Sequence, residues 1–426
     1  MLSAAYVTPD GQLREARGKR PLALHGRQLV PLEAHELIPL PRGAVMSMLP
    51  ERTALSTAGP LPGAPAAALL PIGHTRTLLP AYVPLPPRWE RAQTSPYLPL
   101  FGYTAVAFQD GEPWVAALPT DDPRPWQHPD PGYRRLRRLI RRRIAETEAS
   151  ATPPEPRTQS SQPGALLKHI AHCALTYECR SAQHLFYGEG EAALPSSPTC
   201  NAACVGCISD QPDPDIQPHQ RLSFLPDIDD SVELAVRHLE TAPNAMISFG
   251  QGCEGEPLLN SRNVETIRRI RRQTSRGVIN VNTNGSRPAM LRRLIDAGLG
   301  SIRVSVFSAR DEVFQRYYRP VRYSLDDVHQ CLRLASSNGL FTSINLLTFP
   351  GITDDASEVD ALIDMLTRTG AALVQLRNLN LDPEQLFPAL DGIEFAPIGI
   401  RAMAGRFRDA GLQVGSYTHR HAPAHV

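Results

Sequence analysis

Three cysteines fall within eight residues, in the run Thr199-Cys200-Asn201-Ala202-Ala203-Cys204-Val205-Gly206-Cys207. Three thiolates on one short loop do not complete a tetrahedral zinc site, which usually takes four protein ligands. His184 or His219 could supply a fourth, but neither stands at zinc-module spacing. The same three thiolates can hold three irons of a [4Fe–4S] cube and leave the fourth iron open to a small molecule. An open iron is a catalytic feature, so this loop predicts chemistry rather than a structural staple.

Further candidate groups come at the ends of short apolar runs. After Ala245–Phe249 stands Gly250-Gln251-Gly252-Cys253-Glu254-Gly255-Glu256-Pro257-Leu258-Leu259, with glycines that let backbone approach a ligand. Glu256 adds a carboxylate there. After 278–281 comes Asn282-Thr283-Asn284-Gly285, a polar turn suited to a ribose or a carboxylate. Ser305 ends one apolar run, and Asn345 stands inside another, ahead of Phe349-Pro350-Gly351.

The elements that must position these groups alternate. Strand-like runs at 245–249, 278–281, 301–306, 342–347 and 372–376 are separated by amphipathic stretches at 263–273, 288–297, 311–337 and 356–369. A last amphipathic stretch covers 398–410. Gly277, Gly298, Gly339, Gly370 and Gly411 mark the helix ends. Alternating β and α segments predict an α/β fold with a parallel sheet, a barrel or partial barrel whose chemistry lies at the C-terminal strand ends.

The first part of the chain is different. Of the 41 prolines, 26 lie in residues 1–165, which predicts short strands, turns and extended segments there. Gln28–Pro31 is one candidate strand, and Tyr103–Phe108 joined through Asp110-Gly111 to Trp114–Leu118 is a hairpin. Tyr133–Ile144 carries seven arginines with Leu136, Leu139, Ile140 and Ile144 at helical spacing. It predicts a solvated amphipathic helix; the alternative is a nucleic-acid contact. The expected organisation is an accessory region over 1–149, a Pro/Ser-rich linker over 150–164, a catalytic domain over 165–411 and a His-containing tail over 412–426. The accessory region is the natural candidate for a lid or substrate platform.

Net charge is +1 and no run of 18 apolar residues occurs, so neither a nucleic-acid nor a membrane partner is predicted. No signal peptide is recognisable at Met1–Arg20. Seven cysteines, three of them on one loop, fit ligands in a reducing cytoplasm better than a disulfide framework. Cys173 and Cys179, with His169, His172 and His184, are expected to be buried thiols and exposed or core histidines on a helix from Ala165 onward; a second metal site is the alternative. Cys253 is expected to be a packed small residue, with a reactive thiol as the alternative. Cys331 is expected in a helix core.

Taken together, residues from about 195 to 400 resemble the radical S-adenosylmethionine (SAM) superfamily, with its partial (β/α)6 barrel. Cys200, Cys204 and Cys207 match the cluster motif. Cys253–Pro257 resembles the Gly-Gly-Glu motif that receives the amino group of SAM, so Gly255, Glu256 and Pro257 become cofactor-binding candidates. Thr283 and Asn284 match the turn after the third strand, Ser305 the polar residue of the fourth, and Asn345 follows in the series. The resemblance implies a [4Fe–4S] cluster and SAM as cofactors, and an electron donor such as flavodoxin or ferredoxin. It further implies reductive cleavage of SAM to a 5′-deoxyadenosyl radical that takes hydrogen from a peptide, protein or small metabolite. The alternatives are a non-catalytic Fe–S or SAM-binding protein and an RNA-modifying enzyme of the same kind. Three positions depart from the pattern: Gly206 replaces the usual aromatic residue before the last cysteine, Glu254 the first glycine, and Asn260 an arginine. No cysteine follows Cys331 and no Asp-x-His-x-x-Gly occurs. Neither a C-terminal auxiliary cluster nor a cobalamin-dependent methylase is therefore expected.

Overall fold

The computed structural model describes residues 2–85, 97–122, 131–150, 164–211 and 217–416. Most of the expected linker, and the tail histidines His419, His421 and His425, lie outside them.

The described residues up to 122 fold into one eight-stranded and two three-stranded antiparallel sheets. The hairpin forms as Tyr103–Gln109 and Glu112–Pro119, turning on Asp110 and Gly111 with φ of 54° and 85°. That left-handed pair matches the twist of the flanking strands. Prolines end Gln28–Pro31, Leu37–Pro39, Tyr82–Pro84 and Glu112–Pro119, where a missing N–H costs no ladder bond. Alanines 66, 67, 68, 105, 107, 116 and 117 are all buried, so the core of this region is thin.

The second half builds on a seven-stranded parallel sheet in sequential order. Its strands are β1 (Glu191–Ala193), β2 (Met246–Phe249), β3 (Val278–Thr283), β4 (Ser301–Val306), β5 (Phe341–Thr348), β6 (Leu373–Asn378) and β7 (Gln413–Gly415). Before the sheet come α1 (Arg134–Ser150), α2 (Ala165–Thr176) and α3 (Arg180–Tyr187). Between the strands run α4 (Ile228–Thr241), α5 (Arg262–Gln273), α6 (Pro288–Ala297), α7 (Asp311–Tyr318), α8 (Leu325–Ser337), α9 (Ala356–Thr369), α10 (Pro383–Ala389) and α11 (Ile400–Asp409). Caps set their starts: Asp227 accepts from Asp229 N and Asp230 N, Ser324 and Asp327 form a capping box, and Asp355 caps α9. Arg303 of β4 donates to Glu191 of β1 at 2.6 Å, although the two strands are three apart. Side chains stand roughly perpendicular to a sheet whose strands lie about 4.8 Å apart, so this contact requires the sheet to curl.

Several expectations change. The sheet has seven strands where the sequence shows five strand-like runs, because three-residue β1 and β7 are too short to show periodicity. The last strand lies inside the expected tail. The helical stretch 311–337 is two helices: Arg319 takes a φ of 47° and Pro320 cannot continue the ladder. The arginine-rich helix packs against α2 and α3, with Leu136 and Ile140 buried. Several of its charges are paired, Arg142 with Glu146 and Arg143 with Glu233, while Arg135 lies over the Tyr187 ring.

The antiparallel region covers the loops that leave β5 and β6. His25 meets Asp354 at 2.6 Å, Arg52 pairs with Asp382 at 2.7 Å, and Gly26 N donates to Pro350 O. Arg76 is fully buried there, with no carboxylate paired to it among the described residues. It donates to the carbonyls of Phe101 and Leu379 and lies over Phe349, and burial pulls its pKa down to about 9.

Candidate functional site

The cysteine loop hangs on the break between α7 and α8. Val205 N donates to Tyr317 O at 2.9 Å and Ala203 N to Tyr318 O at 3.0 Å, carbonyls that the kink at Pro320 leaves free. Gly206 is required by space: a Cβ there would stand 2.7 Å from the Tyr317 hydroxyl and 3.0 Å from Leu379 Cδ1. Tyr317, stacked on Phe307 at 4.1 Å, therefore puts an aromatic ring beside the loop position where the family pattern has its own. Composition alone gave no hint of that exchange; the Tyr-Tyr-Arg-Pro run is the signal that could have found it.

Burial, the Glu256 carboxylate and Cys207 push the Cys200 thiol up to about 11, and burial with both neighbouring cysteines pushes Cys204 higher still. Arg221 donates to Cys207 Sγ at 3.4 Å. A metal bound here would have to displace protons from these thiols, as metal binding to cysteine generally does. Three thiolates on one short loop suit three irons of a polynuclear cluster. Two buried polar atoms beside the loop also lack partners among the described residues: Asn201 Nδ2 and the hydroxyl of Tyr323, which feels Cys204, Cys200 and Glu256. Donors left over at such a place fit a bound group.

The turn after β2 is tied to this loop by backbone. Gly255 N donates to Ser197 O at 2.6 Å and Glu256 N to Thr199 O at 2.7 Å. A Cβ on Gly255 would sit 2.0 Å from Thr199 O, so only glycine fits. Glu254 accounts for its departure from the pattern. Buried, it accepts from Gly250 N and Gln251 N on one oxygen and from Ser196 N, Ser196 Oγ and Ser197 N on the other. Asn260 donates to Ser196 O at 2.8 Å, so it too braces the strand leading into the cysteines.

Glu256 is engaged within the protein on both oxygens. Oε1 accepts from Leu258 N at 2.9 Å and Thr283 Oγ1 at 2.5 Å, and Oε2 from Asn284 N at 2.8 Å. Burial raises its pKa to about 7 against the pull of those donors. Asn284 Nδ2 donates to Asn201 Oδ1 at 2.9 Å, which closes a chain from the carboxylate back to the cysteine loop. Gly255, Glu256, Thr283 and Asn284 thus form one bonded unit, with Pro257 buried at the start of a 3-10 turn. Ser305 and Asn345 are neighbours in register on β4 and β5 and stand apart from that unit. They line a cavity of about 670 Å³ with Cys173, Cys253 and Arg377, and Ile72 closes it from the antiparallel region.

Residues 194–366 match the family model of the radical SAM superfamily. A GTP 3′,8-cyclase of Thermodesulfovibrio yellowstonii is 29% identical over 168 residues, which cover 38% of this chain and 48% of that protein. The chain therefore matches about half the length of this curated relative. Among solved structures, the methyltransferase TsrM of Kitasatospora setae, with cobalamin and a [4Fe–4S] cluster bound, superposes with a TM-score of 0.36 at 16% identity. That match covers 45% of this chain and 37% of TsrM. The hydrogenase maturase HydG of Carboxydothermus hydrogenoformans gives 0.34 at 14%, over 69% and 75%. No helix among the described residues is long and apolar enough to cross a membrane. The three-cysteine loop and its bonded carboxylate turn both lie within residues 194–366, the segment that matches the radical SAM superfamily.

Proposed function

We propose that Cys200, Cys204 and Cys207 hold the cluster and that SAM lies across the bonded turn unit, with its reacting end toward the cavity lined by Ser305 and Asn345. When bound, the pair supplies reductive cleavage of the sulfonium and abstraction of a substrate hydrogen. The chain's own part is positioning. The observation that carries this reading is the hydrogen-bonded path Thr283–Glu256–Asn284–Asn201, which locks the turn to the cysteine loop. Glu256 supplies negative charge for the SAM amino group, and the half-buried backbone at Gly255 lies beside it. Polar residues from β1, β3, β4, β5 and β6 line one cavity, which supports reading the curled sheet as an open, partial barrel. The antiparallel region, docked over the loops after β5 and β6, serves as the lid, and the substrate is a peptide, protein or small metabolite. Paired arginines on α1 support a structural role for that helix rather than RNA binding. Seven free cysteines support a reducing cytoplasm, where a flavodoxin or ferredoxin would deliver the electron.

Anaerobic reconstitution with iron and sulfide, followed by dithionite and SAM, tests the reading. The expected result is a brown protein that forms 5′-deoxyadenosine, with the yield lost in Cys204→Ala. A fully clustered protein that forms none would overturn it.

A further inference from the structure

Outside the cluster loop, the fold brings together a second and tighter set of soft donors. His169 and Cys173 stand one helical turn apart on α2, with Nε2 and Sγ 3.7 Å from each other. Cys253, from the turn after β2, closes the set, and its ligand atom and theirs all lie within 4.8 Å of one another. Among the described residues this is the single group of three His, Cys, Asp or Glu side chains so close together. Both thiols are buried, at 2% and 5% exposure. In a tetrahedral site with Zn–S of about 2.3 Å and Zn–N of about 2.0–2.1 Å, sulfur and nitrogen would be roughly 3.6 Å apart. The observed spacing is already close to that edge length.

We propose that His169, Cys173 and Cys253 bind one Zn²⁺ ion, separate from the cluster, with its fourth position open to the cavity. Two soft thiolates with one imidazole are a zinc donor set, and three protein ligands are the usual number when a position is kept for water or substrate. Cys173 and Cys253 both line the 670 Å³ cavity that holds Ser305 and Asn345. A ligand entering from that cavity completes the coordination, either water or a donor atom of the substrate. Cys179 lines the same cavity, but its sulfur faces Ser181 Oγ at 3.3 Å and lies outside the tight set. The site also gives Cys253 a role within the SAM turn that packing alone does not need.

The test uses the full chain carrying Cys200→Ala, Cys204→Ala and Cys207→Ala, which removes the competing thiols, titrated anaerobically with Co²⁺. One equivalent should bind with the intense visible bands of tetrahedral, thiolate-ligated cobalt, and Zn²⁺ should displace it. Adding Cys173→Ser or Cys253→Ser should abolish the spectrum, His169→Ala should weaken binding at least tenfold, and Cys179→Ser should leave it intact. Absence of the tetrahedral spectrum, or its survival in the Cys173→Ser/Cys253→Ser background, overturns the site. Loss of the spectrum in Cys179→Ser overturns the open position. If the triple variant does not fold, zinc measured against iron in the reconstituted wild-type enzyme decides. About one zinc per four irons, falling to none in Cys173→Ser/Cys253→Ser, supports the site, and none in the wild type overturns it. Neither measurement uses SAM cleavage, so the site and the proposed reaction fail independently.

Discussion

Two ligand triads meet at the same turn: three thiols from one loop, and two thiols with an imidazole from distant segments. Cys200, Cys204 and Cys207 come from eight consecutive residues of one loop. Cys173, Cys253 and His169 come from segments about 80 residues apart and stand within single-ion reach. The first triad is a property of a loop, and the second exists only because α2 packs against the turn after β2. A local triad can hold a large cofactor because the backbone between its members can be shaped freely. A non-local one takes whatever spacing the packing gives. Separating the two is the largest effect available. Cys204→Ala should abolish cluster absorbance and 5′-deoxyadenosine formation while the isolated cobalt spectrum persists. Cys253→Ser should do the reverse to the cobalt spectrum and leave four irons per chain. If either substitution removes both signatures, the triads are one site.

That contrast also explains what was legible beforehand. Loop spacing, the Gly-Glu-Pro turn and the β/α alternation are short-range patterns, and strands 301–306 and helices 288–297 and 356–369 stand where the periodicity puts them. What the periodicity missed is either very short, as β1 and β7, or decided by packing between distant segments. Glu254 illustrates the second case: as a residue type it looked like a broken motif, and only its five hydrogen bonds show it to be a brace. Gly206 is another, since the ring that faces it comes from Tyr317, 111 positions later in the chain.

A second prediction asks whether the antiparallel region holds the triads or only covers them. Arg76→Met leaves the carbonyls of Phe101 and Leu379 without their buried donor, which should cost about 2–4 kcal/mol of stability by chemical denaturation. Both metal signatures should survive at low temperature, because each triad is held by α2, the loop and the turn. Loss of either signature in a folded variant would show that the covering region shapes the site.

Smaller in effect is a change aimed at the loop triad alone. Gly206→Ala brings a methyl group against the Tyr317 hydroxyl and Leu379, an overpacking expected to cost about 1–3 kcal/mol. Tyr317→Phe removes the nearer of these obstacles, so the double variant should recover part of the loss. Strict additivity in that cycle would mean that the two residues do not touch in solution. The cobalt site should be indifferent to all three variants.

The finest distinction concerns Glu256, which belongs to the loop's side of the comparison. Its folded pKa is raised to about 7 by burial. The native state therefore keeps a proton that the unfolded chain has already released above its ordinary carboxylate pKa. Stability from this group is fully present below that ordinary value and is lost as pH rises toward and through 7, with a ceiling of about 3 kcal/mol. Glu358 is raised similarly and contributes the same way, so the informative quantity is the difference between proteins. Glu256→Gln, neutral at every pH, should show a shallower fall in Tm between pH 5 and 8 than the wild type. A cationic amino group seated beside the carboxylate would draw its pKa back down. Saturating SAM should therefore flatten the wild-type profile and leave the slope of Glu256→Gln unchanged. Parallel profiles without SAM would show that the three donors on Glu256 outweigh its burial. A slope that SAM alters equally in both proteins would place the amino group elsewhere than at this turn.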